Sequence, residues 1–350
     1  MDDRLLARRR CVKFLERIWT WLLHRRRTRR CAECLLLGAY CLCVYVVWNV
    51  SFLRIGHSLD EESVVSSSER RSAVTAARDV AAVTAAAKLR RDVVVHVIWF
   101  YPPYTALRFH EAMCLLAVQR YVRPRKILFW YDAVSSPPTG VWWQFTRQSV
   151  AHLLPVPYRR PMSVYNRTLL VPEHQSDVAR LSILEEFGGL YVDLDVIIVR
   201  PIDPLLSYDV VLGAESPLML GSGFILATRT NATFIRLWRQ EYADFDDSDW
   251  NQHSVYVPME LARRHPDLVH VEWFSVNRPN WNERQWLYAD GKLWDWSENY
   301  AVHLWYREHP ADVAYDPLTI RHLNTTTGEV LRLIYYEHSR LLQPLNNTRE

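Results

Sequence analysis

The chain has 350 residues, 49% of them apolar and 23% charged, and a net charge of +3. This composition is too apolar for a disordered chain and predicts one large domain with appendages. Residues 1–30 hold eleven Lys and Arg against three acidic residues, a net charge of +8, which leaves −5 for residues 31–350. A mildly acidic body argues against a nucleic-acid-binding surface, because such a surface needs clustered cations on the folded part.

An uncharged stretch at residues 34–53 (CLLLGAYCLCVYVVWNVSFL) follows the basic cluster. About twenty apolar residues cross a bilayer as a helix, and the excess of arginines on the N-terminal flank places that end in the cytosol. The sequence therefore predicts a single-pass type II membrane protein with a basic cytosolic tail (1–33), a transmembrane helix (34–53), a stem (54–91) and a lumenal domain (92–350). A cleaved signal peptide is the weaker alternative, because its apolar region would be shorter.

Glycosylation sequons in the body favour a lumenal location without proving it, and they begin at Asn166, Asn231, Asn324 and Asn346. The body has one cysteine, Cys114, so no intrachain disulfide forms there, which is unusual for an oxidising lumen. Because Cys114 lies in an apolar run, we expect a buried and inert thiol.

The first half of the body alternates strand and helix patterns. Residues 93–99 (VVVHVIW) form a continuous apolar run that is typical of a buried parallel strand. A helical apolar spacing over 105–121 separates this run from a second one at 126–131, so the three segments predict a βαβ unit. Helical patterns at 141–154 and 174–187 precede more strands. The expected fold class is therefore α/β, with a Rossmann-like nucleotide-binding domain.

The block 176–204 (SDVARLSILEEFGGLYVDLDVIIVRPIDP) begins on the second of these helices. Asp177 and Arg180 are i, i+3 neighbours on that helix. Gly188 and Gly189 supply the positive φ that ends it.

Asp193 and Asp195 follow a short strand at 190–192 and precede another at 196–199. In an extended chain residues i and i+2 point to the same side, so both carboxylates are expected to converge at a strand end, where α/β sheets bind ligands. Paired carboxylates there suit a hard divalent cation whose open positions accept diphosphate oxygens. Charged residues between apolar strands are costly without a partner, which favours a functional role.

Two other Asp-x-Asp triplets, 244–246 and 247–249, show that the triplet alone is a weak signal. They lack flanking apolar strands. We therefore interpret them as a solvated acidic loop.

Four pieces of the body match a known family. They are His96–Trp99, the block 176–204, Gly221–Phe224 and Ala301–Trp305. In these pieces the sequence resembles glycosyltransferase family 32, whose members carry a sugar-binding Asp-x-Asp region. The resemblance implies a GT-A fold, a Mn²⁺-dependent site for a nucleotide-diphosphate sugar, retention of anomeric configuration and residence in the Golgi membrane.

The resemblance also implies roles for single residues. Those implied in catalysis are Asp177, Arg180, Asp193 and Asp195. Those implied in donor binding are Trp99, which would stack on the base, Tyr191, Gly221, Ser222 and Trp305. The implied metal ligands are Asp195 and His303.

Several of these residues have a purely structural alternative. Trp99 and His303 could be ordinary core residues, Arg180 a surface partner of Asp177, and Gly221 part of a plain turn.

The acceptor side departs from the family pattern. Residues 252–255 read Gln-His-Ser-Val where many members have Gly-Pro after a Gln, so acceptor identity does not carry over. Six tryptophans between residues 273 and 305 offer flat faces for sugar rings, although part of them is expected in the core.

The sequence thus predicts a metal-dependent hexosyltransferase that moves a sugar from a nucleotide-diphosphate donor to a glycan or glycolipid acceptor. A catalytically inactive, membrane-anchored sugar-binding protein is the alternative, and it would not need all four charged residues at 177, 180, 193 and 195. Metal-assisted phosphoester hydrolysis would require a second metal cluster or a clear water-activating base, and the sequence offers neither signal.

Overall fold

The computed structural model describes residues 93–310 and 313–342. The predicted tail, transmembrane helix and stem lie outside these residues and stay predictions. Within the described ranges, no helix is both long and apolar enough to cross a membrane.

The strands of the described residues are β1 (Val94–Trp99), β2 (Lys126–Asp132), β3 (Leu153–Tyr158), β4 (Ser163–Val164), β5 (Arg167–Thr168), β6 (Gly189–Val192), β7 (Val196–Ile198), β8 (Val210–Ser216), β9 (Met219–Ala227), β10 (His270–Glu272) and β11 (Ala301–His303). Seven of them form one sheet in the order β10-β8-β9-β6-β1-β2-β3, and the described residues also form two two-stranded sheets, β4-β5 and β7-β11.

Helices cover both faces of the large sheet. They are α1 (Phe109–Ala117), α2 (Gly140–Ser149), α3 (Pro172–Phe187), α4 (Thr233–Gln240), α5 (Val257–Arg264), α6 (Gln285–Tyr288), α7 (Pro317–His322) and α8 (Thr326–Tyr336). The core accordingly has two parts. One joins β1 and β2 to α1 and α8, and the other joins the opposite face to α3, α4 and α5.

The predicted α/β class and the βαβ unit are confirmed. β1 pairs in parallel with β2 and with β6, and β2 pairs in parallel with β3. The sheet is mixed, however, because β9 runs antiparallel between β6 and β8. The helix predicted over 141–154 ends at Ser149, since β3 already begins at Leu153.

The turn between α3 and β6 requires glycine. Gly188 and Gly189 have φ values of 62° and 96°, as the sequence predicts. A Cβ on Gly189 would lie 2.2 Å from the Val94 carbonyl oxygen, so β6 can approach β1 only without a side chain there. The His96 ring fixes the same turn through Nε2, which lies 2.8 Å from the Gly188 oxygen.

Cys114 is fully buried and its Sγ lies 3.2 Å from the Val196 oxygen, which confirms the expected inert thiol. Burial raises the pKa of this thiol well above its ordinary value. Among the sequon asparagines, Asn166 and Asn231 are exposed and Asn324 is half-buried, while Asn346 lies outside the described residues.

Candidate metal and donor site

The acidic pair lies where β6 ends, but its geometry differs from the extended chain that we expected. The Asp193 N–H donates to the Gly223 oxygen at 2.8 Å, and the Val196 N–H donates back to the Asp193 oxygen at 3.0 Å. Residues 193–196 therefore form a tight turn between β6 and β7. The prediction that Asp193 and Asp195 converge holds, although a turn rather than strand alternation brings it about.

Asp193, Asp195 and His303 form a group that could hold a cation. One ligand atom from each lies within 4.8 Å of the other two. His303 reaches this position because β11 pairs antiparallel with β7, opposite the acidic turn, with His303 facing Val196 in the register. The imidazole Nε2 lies 3.3 Å from Asp195 Oδ1.

Asp195 is held ionised by its neighbours. Burial by itself would raise the pKa of this carboxyl. His303 and the Tyr306 N–H, 3.0 Å from Oδ2, outweigh burial and hold the pKa well below its ordinary value. Burial likewise disfavours protonated His303, yet the Asp195 charge raises the pKa of His303 above its ordinary value. A histidine beside a buried anion in this way is suited to exchange its proton for a metal ion.

Asp193 belongs to a second network, on the α3 side. The Tyr191 hydroxyl donates to Asp193 Oδ1 at 2.5 Å, and Arg180 Nη2 lies 3.6 Å from the same oxygen. Arg180 Nη2 also pairs with Asp177 Oδ1 at 3.1 Å, and its guanidinium lies 4.6 Å from the centre of the Tyr191 ring. Arg180 is thus a buried cation between two carboxylates, not the surface residue of the structural alternative.

The glycines of β9 let these side chains approach the strand. A Cβ on Gly223 would lie 2.9 Å from Asp193 Oδ2 and 3.3 Å from His303 Cε1. Arg180 Nη1 donates hydrogen bonds to the Ser222 carbonyl oxygen (2.7 Å) and to the Ser222 hydroxyl (2.9 Å). Gly221 lies against Asn277, whose Nδ2 would be 2.1 Å from a Cβ there, so it is not a plain turn residue.

Trp305 lies beside the metal group, but not through the extended geometry that we predicted. β11 ends at His303, and Trp305 has a left-handed backbone with φ 50°. The His303 and Trp305 rings nevertheless stack, with centroids 3.7 Å apart. The indole N–H donates to the Pro279 oxygen at 3.0 Å, which fixes the ring.

Trp99 is buried, so its ring presents no exposed face on which a donor base could stack. Only 1% of it is exposed, and its ring packs between Tyr101 and Phe129, with centroid distances of 4.3 and 5.9 Å. The role of Trp99 in stacking on a donor base stays a prediction, and its burial favours the core alternative.

The acidic loop is largely as expected. Asp244, Asp246 and Asp249 are exposed, which confirms the solvated interpretation for them. Asp247 differs, because it accepts the Leu170 N–H at 3.1 Å and lies 2.9 Å from His174 Nδ1.

Sequence reasoning missed the layer behind Asp195. Tyr306, whose N–H binds Asp195, stacks its ring on buried His110 with the ring centroids 3.5 Å apart. The Arg108 guanidinium lies 4.8 Å from the centre of the Tyr306 ring. Arg108 also pairs with Glu111, a carboxylate that is only 1% exposed. The Arg108–Glu111 spacing of i, i+3 was the one signal in the sequence, and it gave no indication of contact with residue 306.

Residues 127–212 match the family model described as the glycosyltransferase sugar-binding region containing a DXD motif. The resemblance stated from the sequence is thereby confirmed.

A curated relative is glucan organizing enzyme 1 of Cryptococcus neoformans var. grubii. It is 36% identical over 179 residues, which cover 49% of this chain and 46% of the relative. The match thus spans less than half of the relative's length.

Solved structures with some likeness include three glycosyltransferases. PaToxG glycosyltransferase is 15% identical, with 54% of this chain and 79% of that chain covered and a TM-score of 0.36. LgtC in complex with donor and acceptor sugar analogs is 10% identical, with coverage of 71% and 98% and a TM-score of 0.31. GlyE of Streptococcus pneumoniae TIGR4 is 11% identical, with coverage of 71% and 60% and a TM-score of 0.40. Likeness at this level does not define the site or the substrate of this chain.

Proposed function

We propose that this chain is a metal-dependent hexosyltransferase of GT-A type, which transfers a sugar from a nucleotide-diphosphate donor with retention of configuration. The observation that carries the proposal is the group Asp193, Asp195 and His303, with ligand atoms within 4.8 Å of one another at the end of β6. The sugar-binding region matched at residues 127–212 includes both aspartates.

The donor set of this group fits a divalent cation. Two carboxylates and one imidazole offer hard oxygen and borderline nitrogen ligands, a mixture that suits Mn²⁺ better than Mg²⁺. Asp195 would hold the ion together with His303, whose Nε2 already faces the carboxylate at 3.3 Å. When bound, such an ion neutralises negative charge on a departing diphosphate.

The remaining residues would bind the donor or position the side chains that bind it. Asp177 and Asp193 would accept hydrogen bonds from donor-sugar hydroxyls, and Arg180, which pairs with both carboxylates, would hold them in place. Burial by itself would lower the pKa of Arg180, but Asp193, Tyr191 and Asp177 raise it above its ordinary value, so the cation stays charged. Trp305, stacked on His303, would close the site on the diphosphate side.

The cellular setting is also a proposal. The basic tail, the apolar stretch 34–53 and the sequons support a type II protein of the Golgi membrane with a lumenal catalytic domain. The acceptor would be a glycan or glycolipid. The name of the relative, glucan organizing enzyme 1, makes glucans the first acceptor class to test.

The test is a screen of the full-length chain against UDP- and GDP-sugars with Mn²⁺, scored by release of the nucleoside diphosphate. Release from one donor, abolished by EDTA and restored by Mn²⁺, is the expected result. Binding of donors without any release would instead favour the inactive sugar-binding protein. Buried Arg180 between two carboxylates argues against that alternative, because maintaining this network has an energetic cost that binding alone does not require.

A further inference from the structure

A third carboxylate, Glu215, faces the site from β8. The pairing of β8 with β9 shifts register between Ala214 and Ser216, so Glu215 lies at a bulge. Bulges redirect side chains and are common beside active sites. A Cβ on Gly221 would lie 2.8 Å from Glu215 Oε1, whereas a Cβ on Gly223 would lie 2.9 Å from Asp193 Oδ2.

These two approaches place Glu215 and Asp193 at alternate residues of the same strand. Gly221 and Gly223 are two residues apart on β9, a distance of about 7 Å along a strand. Glu215 and Asp193 therefore approach neighbouring positions on the same face of β9, and Glu215 lies close enough to His303 for each charge to affect the pKa of the other group.

The Glu215 carboxylate is half-buried and has no hydrogen-bond or ion-pair partner among residues 93–310 and 313–342. Burial raises its pKa above the ordinary value. A carboxylate that no protein donor occupies at a partly exposed position is free to accept a hydrogen bond from a ligand hydroxyl.

We infer that Glu215 binds a hydroxyl group of the acceptor saccharide, placing that sugar on β9 beside the metal-bound donor. This inference rests on the proposed function. An anionic diphosphate is repelled by a free carboxylate, so Glu215 cannot serve that part of the donor. The donor sugar already has Asp177 and Asp193 on the α3 side of the site. A neutral, hydroxyl-bearing acceptor is the ligand that complements the remaining carboxylate.

Asn277 supports the same position. Its side chain is fully buried, Nδ2 donates to the Gly213 oxygen at 2.9 Å, and Oδ1 has no partner among the described residues. The amide packs against Gly221 next to the Glu215 carboxylate. The end of β9 away from the metal is thus lined with polar atoms that have unused hydrogen-bonding capacity.

The experiment measures saccharide and nucleotide binding separately in the full-length chain. Isothermal titration calorimetry would follow glucose, galactose, mannose, lactose and laminaribiose in the presence of Mn²⁺ with UDP or GDP. Glu215→Ala should weaken saccharide binding at least about tenfold, because a hydrogen bond to a charged group is lost. Glu215→Gln should weaken it less. The Kd of the nucleoside diphosphate should change less than about twofold in both variants.

The matched control is Glu260→Gln on α5, an exposed glutamate outside the site, which should leave saccharide binding unchanged. Equal saccharide binding by the wild type and Glu215→Ala, or no binding of any of these sugars by the wild type, would overturn the inference. Glu215→Gln preserves the shape of the side chain, so it remains informative if the alanine variant does not fold. A wild type that binds a sugar through Glu215 but releases no nucleoside diphosphate would defeat the proposed transferase and leave the inference standing.

Discussion

The two sides of the candidate site are built in different ways. On the α3 side, Asp177, Arg180 and Asp193 come from a single run of 17 residues and form a buried ion network. On the β11 side, Asp195 meets His303 and Tyr306 from more than 100 residues further along the chain. The first side is held together by local helix and strand geometry, and the second depends on the β7–β11 pairing.

This difference predicts that substitutions on the α3 side mainly affect stability and that those on the β11 side mainly affect activity. The α3 side is buried and its charges compensate one another, so removing one of them leaves the others uncompensated and costs stability. The β11 side brings together side chains that could bind a cation, so its residues should matter more for activity than for folding. Four measurements test this division, beginning with the largest expected effect.

Asp195→Asn should lower transfer and donor hydrolysis by about 10³-fold, or about 4 kcal/mol on the barrier, while the protein stays folded. The physical reason is the loss of one anionic metal ligand. Steady-state release of nucleoside diphosphate measures it, and Asp249→Asn in the exposed acidic loop is the matched control. Turnover like that of the wild type, with the metal still required, would remove Asp195 from the metal site.

The two sides also differ in how far the sequence predicted them. Asp177, Arg180 and Asp193 share one helix–turn–strand unit, so their proximity followed from i, i+3 spacing and a glycine stop. His303 and Trp305 entered through the family resemblance, because no local pattern links residues 195 and 303. The turn at residues 193–196 and the chain around Trp305 were both predicted as extended. The left-handed backbone of Trp305 has no signal in the sequence.

The same limit applies to the rest of the fold. The parallel pairing of β1 and β2 followed from two apolar runs separated by a helical pattern. The antiparallel position of β9 between β6 and β8 could not be predicted from the sequence, because strand order depends on contacts between distant segments. The bulge that points Glu215 at the site arises from that insertion and was invisible for the same reason.

Arg180→Met should destabilise the protein by about 3 kcal/mol, because Asp177 and Asp193 lose the cation between them. Chemical denaturation at pH 7 measures the free energy of unfolding. Arg264→Met, which breaks the exposed pair with Glu241, is the control and should cost under about 1 kcal/mol. Equal effects of the two variants would contradict the buried-network interpretation of the α3 side.

His96 makes the α3 side sensitive to acid. Burial lowers the pKa of His96 from 6.5 to about 4, so the folded state favours the neutral ring. Its contribution to stability is therefore complete above pH 6.5 and is lost as the pH falls towards 4, by about 2 kcal/mol at pH 5. Denaturation at pH 7 and pH 5 should show this loss in the wild type and a smaller one in His96→Gln. Equal losses in both proteins would assign the acid sensitivity to other groups.

The smallest effect is expected for His303→Ala, and it bears on the β11 side most directly. The variant keeps both carboxylates, so the site should still bind Mn²⁺, but with one ligand fewer and a higher metal requirement. We expect the Mn²⁺ concentration for half-maximal activity to rise at least about tenfold at saturating donor. The variant should lose less stability than Arg180→Met, because His303 pairs with one carboxylate whereas Arg180 lies between two. His322→Ala, at an exposed position of α7, is the control. If His303 is instead a core residue, the variant will lose stability while its Mn²⁺ dependence stays unchanged, and the β11 side will then reduce to Asp195 alone.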